Sequence, residues 1–166
     1  MNILHYLLVL LIPCSLGLPN SDPQSIEKGG MKVTWEHVAE RIHFEMEAPS
    51  AGWLAIGFNT RDQLAGTYLL MGAVKSGKTE VFEHYTKKPG TYPNFAEMGL
   101  ESSVAQVMGE ERRAYSRISF SLPVKAGNRY ARDLSPGQTY YLLLAYSRED
   151  EFEHHSAMRT SVKITL

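Results

Sequence analysis

An all-β fold, an antiparallel immunoglobulin-like β-sandwich of about eight to ten strands, is what the sequence predicts, on three observations. Short apolar or alternating runs recur between turn residues. No stretch after the first 17 residues carries three turns of helical periodicity. Two neighbouring runs, 52–58 and 64–72, are apolar almost throughout, as central strands covered on both faces are. Ala55, Gly57, Gly66 and Gly72 keep those runs small in places, which leaves room beside the backbone.

In chain order, residues 1–17 have a short apolar core that ends in Pro13, Cys14, Ser15 and Gly17. This pattern predicts a secretory signal peptide cleaved after Ser15-Leu16-Gly17. Residues 18–30, with Pro19, Pro23, Gly29 and Gly30, are expected to be a linker, and 31–166 the folded domain. A first strand is expected at 31–35. In 41–47, Ile42, Phe44 and Met46 alternate with Arg41, His43, Glu45 and Glu47, the signature of a half-buried strand. The two central strands follow, and Ser76-Gly77 turns the chain into a strand at 78–85. Residues 86–93 hold Pro89, Gly90 and Pro93 and read as a loop. Further strands are expected at 104–109, 115–122, 139–146 and 161–166, with 123–137 irregular.

The 166 residues carry a formal net charge of -1, enough chain for one domain with a core. No basic stripe or polybasic run stands out, which argues against nucleic acid and anionic lipid as partners. Cys14 is the one cysteine, inside the expected signal. Acylation there fits poorly with Pro13 before it. Once the signal is removed no thiol remains for a disulfide or a thiolate ligand. The mature chain has no second long apolar segment and is not expected to span a membrane.

No Gly-x-Ser-x-Gly elbow, phosphate-binding glycine loop or His-Glu-x-x-His helix occurs, so a binding module is expected rather than an enzyme. The run Arg148-Glu149-Asp150-Glu151 reads as a solvated loop tip. His43 lies on a polar strand face. His84 shares the face of Phe82 and is expected to be partly buried. His154-His155 sits between the acidic loop and the last strand, where neutral imidazole suits a metal ligand. In extended chain, adjacent residues point opposite ways, so one of the two is expected to face a pocket.

The ordered set Trp35, Gly52-Trp53-x-Ala55-Ile56-Gly57-Phe58, Leu64-Ala65-Gly66-Thr67, Glu83-His84-Tyr85, Phe120-Ser121-Leu122-Pro123, Asp133-Leu134-x-x-Gly137, Ala145-Tyr146-Ser147 and His155-Ser156-x-Met158-Arg159 resembles a DOMON domain. The resemblance covers 31–166. It implies a secreted, periplasmic or extracellular β-sandwich, and heme b as the cofactor for electron transfer or redox sensing. His155 matches the family's axial histidine. The family's axial methionine falls at Leu64, which has no lone pair for iron; Met71 and Met158 are the nearby thioethers. Trp53, Leu64 and Met71 are expected to line the pocket and Arg159 to meet the propionates. A redox partner protein or membrane cytochrome would be the partner. The alternatives are a sugar or other small ligand stacked on Trp35, Trp53, Tyr85 and Tyr92, or a protein-interaction domain without a cofactor.

Overall fold

The computed structural model describes residues 22–166. The expected signal peptide, Cys14 and the start of the 18–30 segment lie outside them. Among the described residues, ten strands form two five-stranded antiparallel sheets that pack face to face without closing into a barrel. The first sheet runs β1 (Gln24–Lys28), β2 (Met31–Val38), β3 (Arg41–Ala48), β8 (Tyr115–Pro123), β7 (Ala105–Arg112). The second runs β10 (Met158–Thr165), β9 (Thr139–Tyr146), β4 (Leu54–Asn59), β5 (Tyr68–Lys75), β6 (Lys78–Tyr85). One turn of 3-10 helix, Ala96–Met98, is the helical element among the described residues.

Part of the segment read as linker is strand. β1 pairs with β2 from Gln24 opposite Trp35 to Lys28 opposite Met31, turned by Gly29-Gly30. Polar composition concealed it. An edge strand is held by its backbone ladder and needs few apolar side chains, and Ile26 is the one that packs on the core.

The core between the sheets follows the alternation that the sequence carries. Trp35, Phe44, Met46, Ile118, Phe120 and Leu122 from the first sheet meet Leu54, Ile56, Phe58, Leu70, Leu142 and Leu144 from the second. The Phe44 ring lies 5.5 Å from Phe58 and 5.7 Å from Phe120. Each such side chain contributes roughly 1.5–3 kcal/mol by burial.

The central strands β4 and β5 are buried on nearly every residue because their outer face is also covered. There Trp53, Ala55, Leu69, Met71, Ala73 and Ala145 form a second apolar cluster, with Leu143, Tyr92 and Phe152 packed on it. Its cover is a pair of loops, 86–94 and 147–157, rather than a third sheet. This outer face is where the site lies.

Candidate functional site

A cavity of about 620 Å³ opens on the outer face of the second sheet. Pockets for small molecules run about 300–1,000 Å³, so its volume suits a sizeable organic ligand. Its floor is set by strand register. Met71 on β5, Ala55 on β4, Ala145 on β9 and Arg159 on β10 lie side by side across the sheet. Leu69 and Leu143 fill the next row, beside Gly57. Of the small residues that suggested room, Ala55 lines the cavity, where Ala145 joins it. Gly57 does not: a Cβ there would sit 2.5 Å from the Thr67 methyl, so its space is already taken.

The loop 147–157 forms one wall and is anchored at its base. Trp53 N–H donates to Glu149 O at 3.0 Å, and Ser147 N–H donates to Trp53 O at 2.9 Å. Ser147 Oγ donates to His155 O at 3.2 Å, and Ala157 N–H to Tyr146 O at 2.8 Å. Gly52 makes this close approach possible. A Cβ on it would meet backbone atoms of Ser147, Arg148 and Glu149 at 2.5–2.6 Å. Gly52→Ala is therefore expected to destabilise the fold by about 2 kcal/mol or more, since backbone on both sides must shift. Faster amide hydrogen exchange in 147–157 than in β2 and β3 would report the loosened anchor.

The tip of the same loop is held by rings. Phe152 packs edge-on against Phe82 (5.8 Å) and His84 (6.1 Å), with the Lys75 ammonium 5.3 Å from its ring centre. Tyr92, from the opposite loop, donates its hydroxyl to Phe152 O at 2.8 Å. His84 is buried, its Nδ1 is 2.8 Å from Tyr92 O, and its Nε2 has no partner among the described residues. It thus ties both loops to β6. The sequence placed His84 on a partly buried face but gave no signal for Phe152, which follows a charge run.

Burial pushes the His84 imidazole below its ordinary pKa, against smaller opposing effects from Tyr92 O, Glu97 and Glu153. The folded state therefore keeps His84 neutral where the unfolded chain already binds a proton, below about pH 6.5. Stability must fall as pH drops through that range. Urea unfolding from about pH 8 down to about pH 5 is expected to show this loss, and His84→Gln to flatten it. An equally steep acid limb in His84→Gln would assign the loss to other groups.

The cavity brings together Trp53, Leu64, Met71, His155 and Arg159. Trp53 and Met71 are buried, 4% and 3% exposed; Leu64 is half-buried; His155 and Arg159 are exposed at the rim. The expectation that one histidine of the pair would face the pocket needs correction, since His154 lines it too. The reason is local: His154 N–H donates to Glu151 O at 3.0 Å, closing a turn that breaks extended alternation. The His154 imidazole also lies within 4.8 Å of Glu149 and Glu151 carboxylate oxygens. Met158, the other thioether near His155, packs against the core between the sheets.

The four aromatics expected to stack on a sugar are split. Trp53 and Tyr92 line the cavity, while Trp35 and Tyr85 belong to the core between the sheets. The donor set suits a large, flat, mainly apolar molecule better: an aliphatic floor, imidazoles and a guanidinium at the rim, and one thioether, Met71. The Trp53 indole Nε1–H is buried without an acceptor among the described residues, which leaves a donor on the cavity wall.

Two solved structures share this architecture. One is the cytochrome b domain of pyranose dehydrogenase from Coprinopsis cinerea, with 10% identity and a TM-score of 0.58 over 85% of this chain and 80% of that one. The other is the cytochrome domain of Myriococcum thermophilum cellobiose dehydrogenase, with 8% identity and a TM-score of 0.57 over 87% and 81%. At such identity the likeness concerns the fold. No curated protein matches the sequence. A family model, DOMON domain, matches residues 27–147, which takes in the central strands and the 86–94 loop but stops at the start of the 147–157 loop, short of His155 and Arg159. The match spans well over half of the chain, and the protein belongs to the DOMON domain family.

Proposed function

We propose that this DOMON domain binds heme b in the outer-face cavity, for electron transfer or redox sensing outside the cytoplasm. The observation that carries the reading is the cavity itself: about 620 Å³, floored by apolar side chains, with imidazoles and a guanidinium at its mouth. Heme supplies one-electron chemistry when bound. His155 is the residue to hold the iron, and Arg159 is placed to meet a propionate. Trp53, Leu69, Met71 and Leu143 would keep water from a bound heme. Leu64 cannot coordinate. Met71 is the one thioether among the described residues that line the cavity, so the iron would be held by His155 with Met71 or by His155 alone. Methionine ligation raises the potential of a heme, so loss of a thioether at position 64 is expected to lower it. The partner would be a redox protein or a membrane cytochrome.

Titration of the purified protein with hemin tests the reading. A saturable Soret shift at one equivalent is the expected result. No spectral change at stoichiometric hemin would overturn it.

A further inference from the structure

A second, smaller chamber of about 230 Å³ adjoins the large cavity, and Leu64, Thr67, Leu143 and Arg159 line both. The lining changes character across that boundary. The small chamber is walled by Arg61, Asp62 and Gln63 from the β4–β5 loop and by Tyr141, Thr160 and Ser161 from β9 and β10.

That loop is built to hold its shape. Asn59, buried at its start, donates through Nδ2 to Gln63 O (2.9 Å), Ala65 O (2.9 Å) and Thr67 Oγ1 (3.1 Å). Its Oδ1 accepts from Arg61 N–H at 3.2 Å. Asp62, the one carboxylate in the wall, accepts the Ser161 hydroxyl at 2.5 Å, which clips the loop to β10. The loop thus holds Leu64 at the boundary between the two cavities and Arg61 in the small one.

Three donors around the chamber are left over. The guanidinium groups of Arg61 and Arg159 and the Tyr141 hydroxyl make no hydrogen bond or ion pair with another described residue. Two arginines, both exposed, and a tyrosine lining one small space match a carboxylate, the planar acceptor that arginine binds in pairs of hydrogen bonds.

We propose that the small chamber is a carboxylate subsite, and that the two cavities together take an amphipathic organic acid: a flat apolar body over Met71 and Leu143, its carboxylate between Arg61 and Arg159. The inference rests on reading the large cavity as a ligand site and deepens it by naming the class of ligand. Heme b, with its propionates, is one member of that class. Arg61 on the rigid loop and Tyr141 on β9 are the specificity-determining residues.

A probe pair tests this apart from heme: 1-pyrenebutyric acid and its methyl ester, a flat apolar body with and without the charge. Binding is read by tryptophan-to-pyrene energy transfer, with thermal melting to show that each variant folds. The acid is expected to bind wild type about tenfold tighter than the ester, an advantage that shrinks in high salt. Arg61→Gln, alone and with Tyr141→Phe, is expected to erase the advantage and leave ester affinity unchanged. Equal binding of acid and ester by wild type, or an advantage that survives in the folded variants, overturns the carboxylate subsite. Failure of both probes to bind overturns the ligand site itself. Selective binding of the acid with no hemin Soret shift supports the subsite and removes heme as its occupant.

Discussion

His155→Ala is expected to abolish the hemin Soret shift, while His154→Ala retains it. Both imidazoles are exposed and both line the cavity, so the pair is a matched control for nonspecific hemin capture. They differ in what surrounds them. His154 shares its space with the Glu149 and Glu151 carboxylates at the loop tip. His155 sits beside the anchored base, where Ser147 Oγ donates to its carbonyl and Ala157 returns the chain to β9. A ligand held by a fixed backbone loses less freedom on binding, which favours His155. Loss of its coordination is expected to weaken hemin affinity roughly a hundredfold, about 3 kcal/mol. Equal retention of the shift in both variants would remove His155 from the site.

Glu83→Ala is expected to cost the fold about 3–5 kcal/mol, a large share of the 5–15 kcal/mol typical of a domain. Glu83 is 2% exposed on the inner face of β6. Its Oε1 accepts from Tyr68 Oη (2.5 Å) and Ser103 Oγ (2.8 Å), and its Oε2 from Ser102 Oγ (2.8 Å) and Ser103 N–H (2.5 Å). Removing the acceptor strands four donors at once, the buried Tyr68 hydroxyl among them, and a buried donor without a partner carries the larger penalty. Burial, with the Glu83 charge beside it, also pushes the Tyr68 phenol well above its ordinary pKa, which keeps Tyr68 a donor to Glu83. A fall in melting temperature of about 10 °C or more is expected, with a smaller fall for Glu83→Gln, which keeps one acceptor. Glu83 and His84 occupy opposite faces of β6. The same strand therefore clamps the crossover at 95–104 on one side and the cavity loops on the other.

How far the site could be read beforehand depends on the distance over which each feature is decided. The alternation in β3 and β8, and the continuous burial of β4 and β5, are properties of neighbouring residues, so the strands were legible. β1 was not, because Gln24–Lys28 is held by backbone pairing that leaves no apolar pattern. The resemblance pointed to Trp53, Leu64, Met71, His155 and Arg159, and the register of β5, β4, β9 and β10 does put Met71 and Arg159 on one face. It could not reveal that Trp35 and Tyr85 turn the other way into the core, or that His154 joins His155.

By itself the sequence determined the sandwich and the identity of the double-covered strands, because a period of two residues is written locally and each strand must bury one face. The tertiary structure alone decided that the cavity opens outside the second sheet, that Phe152 and Tyr92 close loops over it, and that Arg61, Tyr141 and Arg159 gather at one end. Those partners stand some twenty to a hundred residues apart in the chain. Side chains so far removed meet only after backbone pairing has fixed the order of the strands.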